Sequence, residues 1–151
     1  MAELLKVKSL ADVPKWLAQL GTAPAPRTTG AWPLVAVLDH LAQSVEMSLD
    51  GFPRSRGAVF QHTAGAAAFA VFKWREKMSH SLTEPIPGAP PLQMTGDWRA
   101  TAERLRAALA RFDVHQGALQ PHFAYGALSK PDYAKAHAFH IANHQDEIVA
   151  E

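Results

Sequence analysis

The 151-residue chain predicts an all-α fold, an antiparallel four-helix bundle with a short extra N-terminal helix. Three observations carry that expectation. Alanine occurs 28 times, spread through stretches whose apolar residues recur at three- and four-residue spacing, a composition that favours closely packed helices. No run shows the two-residue alternation with turn flanks that marks a strand. Four long helical stretches and one short one are separated by proline- or glycine-containing breaks, and a bundle is the simplest way for such helices to bury one stripe each.

The first helix is expected over residues 9–20. Ser9 can cap it, Asp12 stands three residues on in a capping-box arrangement, and Gly21 lies just past its end. The second, 31–49, opens at Thr29 or Gly30 with Pro33 in its first turn and stops at Asp50-Gly51. The third spans 59–78. The fourth starts at Asp97 or Trp98 and ends at His115, with Gly117 following. The last spans 131–149, with Ser129 as cap, Asp132 three residues later and Pro131 in the first turn. Residues 22–27 and 84–91 are too proline-rich for helix and read as loops. The pieces between them are too small to fold alone, so one domain over residues 1–151 is expected.

Charge and composition exclude several functions. Fifteen Lys and Arg against fourteen Asp and Glu leave a formal charge of +1, which gives no field for a nucleic-acid backbone. Arg99, Arg104, Arg106 and Arg111 alternate with Asp97, Glu103 and Asp113 and read as a solvated helix face; Arg54 and Arg56 make only a small basic patch. With no cysteine there is no disulfide, thiolate metal site, iron–sulfur cluster or cysteine nucleophile. No phosphate loop, dinucleotide fingerprint or serine elbow is present. The first residues lack the pattern of a secretory signal, and no stretch reaches the roughly 18 apolar residues of a membrane span. The expectation is a cytoplasmic protein with no nucleic-acid or membrane partner. Trp16, Trp32, Phe60, Phe69, Phe72, Trp74, Phe112 and Phe123 are expected as core residues, with Trp32 and Trp98 anchoring loops at helix starts.

The histidines give the sharp lead. There are eight, three of them within the last fifteen residues. On a helix with Tyr133 at zero, His137, His140 and His144 fall at about 40°, 340° and 20°, beside Ile141 and Ile148 at about 80° and 60°. Imidazoles on an inward stripe are costly to bury unless each finds a partner, and a metal ion is one efficient partner. His140 and His144, spaced H-x-x-x-H, stand one turn apart and can close on one ion, although His137 can compete. No Glu follows His140, which excludes the metalloprotease helix, and no Glu-x-x-His occurs, which excludes the ferritin-type di-iron bundle. A third ligand from another helix would strengthen the pair, and His40, in the middle of the second, is the candidate. It lies on the flank of the Leu34–Leu38–Leu41–Val45 stripe, so periodicity is equally satisfied by a hydrogen-bonded or half-exposed histidine. His62 and His80 read as surface or capping residues. His115 and His122 read as solvated turn residues that can border a pocket.

One histidine in the middle of the second helix and an H-x-x-x-H on the last resemble the DinB/YfiT-like superfamily, in particular a branch defined only as a domain of unknown function. The matching stretches are residues 32–53 (WPLVAVLDHLAQSVEMSLDGFP) and 121–144 (PHFAYGALSKPDYAKAHAFHIANH). The resemblance implies a bundle in which His40, His140 and His144 hold one divalent ion: zinc, nickel or iron. It also implies an activity, since characterised relatives include transferases and isomerases that use low-molecular-weight thiols. Where that branch often has a further histidine before the last ligand, this chain has Asn143, and the stretch around His122 also departs from the pattern. Three imidazoles leave an ion its charge and an open position, the layout of catalytic sites. Gln43, Ser44, Tyr133 and His137 are candidates to orient the ligands or carry protons.

Two functions are therefore expected to compete. One is a metal-dependent transferase or hydrolase acting on a small molecule. The alternative is a metal-free helical bundle that oligomerises, for instance as a homodimer, or binds a small apolar ligand.

Overall fold

The computed structural model describes residues 3–78 and 81–150, so the expectation for His80 lies outside the described residues. Helix α1 (Val13–Thr22) follows a single 3-10 turn at Leu10–Asp12. The Asp12 carboxylate accepts the backbone N–H groups of Lys8 and Ser9, at 2.9 and 3.1 Å. The capping pair foreseen at Ser9 and Asp12 thus closes a tight turn, and the α-helix starts after it and runs through Gly21. Helix α2 (Leu34–Asp50) has Pro33 as its N-cap and ends where Gly51 takes φ +110°, a value that suits glycine.

The third expected helix is less regular. It comprises α3 (Ala58–Phe60), a π turn at Gln61–Gly65 and α4 (Ala66–Arg75). A Cβ on Gly65 would stand 1.8 Å from the carbonyl oxygen of Ala124, so this wide turn lets the 122–126 hairpin press onto the helix. Gln61 secures the contact by donating from Nε2 to the carbonyls of His122 and Phe123. Helix α5 (Trp98–Val114) begins where Asp97 accepts the Arg99 N–H at 3.0 Å. Helix α6 (Lys130–Gln145) begins where Ser129 accepts the Asp132 N–H at 3.2 Å.

The last helix ends four residues earlier than its periodicity predicts. Residues Ile148–Val149 form β2, paired antiparallel with β1 (Arg27–Thr28) in the register Thr28↔Ile148 and Arg27↔Val149. This two-stranded sheet, unforeseen in the sequence, ties the segment after α6 to the segment before α2.

Helix α2 is the centre of the bundle. It packs against α5 and α6, and every residue from Leu34 to Val45 is buried. The core joins Trp16 and Leu20 of α1, Leu38 and Leu41 of α2, Leu105 and Phe112 of α5, and Tyr133 and Ile141 of α6. A leucine buried to this degree stabilises the fold by about 1.5–3 kcal/mol. Ion pairs also bind α5 to α2. Arg104 bridges Asp39 and Glu46, and Arg111 meets Asp50. The arginine series is thus not a purely solvated face, because two of its members answer acids on the neighbouring helix. Trp74, expected in the core, is 85% exposed, and Val59 is 80% exposed on the same helical segment. No helix among the described residues is long and apolar enough to cross a membrane.

Candidate metal centre

The direction of α6 against α2 brings the site together. His137 stands opposite Ser48 and His140 opposite His40, so the two helices run antiparallel. Their crossing sets one imidazole from the middle of α2 against two from the last turns of α6. The Nε2 atoms of His40 and His140 are 3.0 Å apart, and ring centroids within the trio are separated by 4.9–5.0 Å. One ligand nitrogen from each of His40, His140 and His144 lies within 4.8 Å of the others. His40 and His144 are buried and His140 is half-buried. The flank position of His40 is no obstacle, because α2 is enclosed on nearly every side.

The donor set fits a divalent ion. Three neutral imidazoles would suit zinc, nickel or iron, and their nitrogens, within 4.8 Å of one another, are close enough to share one such ion.

Other groups hold the rings. Trp32 lies edge-on to His40, with centroids 5.3 Å apart, and parallel to His144 at 6.4 Å. Glu147 is 5% exposed, and its Oε1 is 3.6 Å from Nδ1 of His144. Burial pushes the Glu147 carboxyl above the usual carboxylate range. Glu147 was missed by the sequence reasoning, although a helical projection puts position 147 at about 320°, on the histidine stripe. Trp32, expected as a core residue and loop anchor, also packs against two of the three histidines.

His137 does not join the trio. Its Nε2 is 3.0 Å from the Ser48 hydroxyl, and that hydroxyl donates to the Val45 carbonyl at 2.6 Å, so the imidazole N–H is the donor to Ser48. Phe112 and Tyr133 enclose the ring, and burial pushes its pKa down to about 3. Two of the other supporting candidates are also engaged elsewhere. Tyr133 donates to the Gln120 carbonyl at 2.5 Å, and Gln43 donates to the Pro90 carbonyl at 3.1 Å.

His40 and His140 border a cavity of about 170 Å³, whose polar lining includes Ser44 and His137. Its far side is made by Ile86 of the proline-rich loop and by Phe123 and Tyr125 of the 122–126 hairpin, with Arg56 at the wall. Burial raises the Tyr125 phenol to about 12. His122 lines this cavity, as a turn histidine bordering a pocket, with Nδ1 accepting the N–H groups of Ala124 and Tyr125. His62 and His115 are exposed or partly exposed and stand apart from it. The proline-rich loop is tied to α2 on both sides of His40, through Gln43 and through Asp39, which accepts the Gln93 N–H at 2.9 Å.

Residues 1–151 match the model of the family described as "Protein of unknown function (DUF1569)", and the chain belongs to that family. No curated protein and no solved structure matches it.

Proposed function

We propose that this DUF1569 protein holds one divalent metal ion between His40, His140 and His144 and acts as a metal-dependent transferase or hydrolase on a small molecule that enters the adjoining cavity. The observation that carries the reading is the approach of three imidazole nitrogens, from two helices, to within 4.8 Å in the protein interior. The resemblance of residues 32–53 and 121–144 to DinB/YfiT-like sequences implies the same ligand set. When bound, such an ion would polarise a substrate atom or acidify a coordinated water. The protein's own residues do the rest. Trp32 and the α2–α6 packing fix the rings, and Ile86, Phe123 and Tyr125 give the cavity an apolar wall. His137, with its N–H committed to Ser48, stays neutral beside it.

Metal analysis of untagged protein tests the proposal. About one equivalent is expected in the wild type and less than a tenth in His40→Ala. Added zinc at 100 times its Kd should stabilise only the wild type, by about 2.7 kcal/mol. Protein that carries no metal and melts identically with and without chelator would sink the reading. It would leave the second one, a metal-free bundle that self-associates as a homodimer, favoured by the exposed Val59, Val71 and Trp74.

A further inference from the structure

Glu147 is a buried carboxylate with no hydrogen bond to Oε1 among the described residues. Burying such a group is costly unless a donor answers it. The nearest ring nitrogen is Nδ1 of His144, 3.6 Å away. We propose that Glu147 is the outer-sphere carboxylate of the metal centre: it accepts the Nδ1–H of His144, locks that tautomer, and so turns the Nε2 lone pair toward the ion. The inference rests on the three-histidine reading and adds a residue to it. A carboxylate in this role orients the ring, raises its basicity and sets a negative charge against the ion.

The fold holds Glu147 in place by more than the end of α6, where its N–H donates to the His144 carbonyl at 3.2 Å. Its carbonyl accepts the Thr29 N–H at 2.8 Å, and the next residue, Ile148, pairs with Thr28 in the small sheet. Its second carboxylate oxygen lies against Gly30, where a Cβ would stand 2.0 Å from Oε2. Residue 30 therefore has no room for a side chain while Glu147 keeps this position. Strand pairing, the missing Cβ and the early end of α6 all serve to press one carboxylate onto one histidine. Glu147 is a positioning residue, acting through His144.

The test combines zinc affinity, by competition with a chromogenic chelator, with the His144 tautomer read from long-range ¹H–¹⁵N spectra. Glu147→Gln should still take up about one equivalent of zinc but bind it 10–100-fold more weakly, with the Nδ1–H signal of His144 shifted or lost. Gly30→Ala, which displaces Glu147 without changing it, should move both readouts the same way and covers the case in which Glu147→Gln fails to fold. Wild-type affinity together with an unchanged His144 tautomer in both variants would overturn the proposal. So would loss of zinc as complete as in His144→Ala, which would make Glu147 a ligand. A wild type that binds no zinc overturns the three-histidine reading instead. The tautomer in the metal-free protein then decides Glu147 separately: an Nδ1–H lost on Glu147→Gln supports the contact, and an unchanged one overturns it.

Discussion

In the first half of α6, Tyr133 and His137 meet apolar rings and a serine. In the second half, His140 and His144 meet a third histidine and a carboxylate. All four side chains project from one stripe and are buried or half-buried, so the helix itself does not distinguish them. The distinction comes from the helix opposite. Ser48 faces His137 and satisfies it with a single hydrogen bond, whereas His40 faces His140 and offers a second nitrogen donor. Periodicity selects the face of a helix, and the residue across the interface decides the chemistry of each position on that face.

The sharpest way to break that comparison is to truncate one histidine in each half. His140→Ala is expected to abolish stoichiometric metal binding. His137→Ala should keep the metal and instead lose about 2–4 kcal/mol of stability in urea unfolding, from the void left beside Phe112 and the lost bond to Ser48. Equal metal loss in both would erase the distinction.

A smaller effect is expected from pH. The folded His137 ring resists protonation until about pH 3, whereas the unfolded ring takes its proton near 6.5. In that window the unfolded chain binds more protons, so stability is present above about pH 6.5 and is lost as pH falls toward 3. The limiting slope is about 1.4 kcal/mol per pH unit. Chemical denaturation from pH 7 to 4 should show the fall, and His137→Gln should flatten it. The smallest effect belongs to Tyr133→Phe, which deprives the Gln120 carbonyl of its donor and should cost about 1 kcal/mol with metal content unchanged.

Much of this arrangement is legible in the sequence. Ser129, Asp97 and Gly51 mark their helix ends because caps and left-handed stops are local chemistry. The H-x-x-x-H pair is legible for the same reason. His40 is less so: a helix buried on almost every side has no single inward stripe, and its flank is as enclosed as its centre. The features missed depend on partners far away in the chain. Neither glycine nor proline stops α6 at Gln145; pairing with Arg27–Thr28 draws residues Ile148–Val149 into a strand. Two-residue strands are too short to alternate. The π turn ends at Gly65, where the Ala124 carbonyl leaves no room for a Cβ, and Glu147 gains its place only once both segments have docked.

The two ties from α2 to the proline-rich loop have a consequence for whatever the cavity receives. Pro85, Pro87, Pro90 and Pro91 already narrow the choices open to that stretch before folding, and Asp39 and Gln43 fasten it from either side of His40. With its C-terminal end fastened at Pro90 and Gln93, the loop would serve the proposed small molecule as a preorganised rim. If the cavity takes a small molecule as proposed, association would forfeit little chain entropy and discrimination would fall on shape, with a guest one group too bulky refused at the threshold.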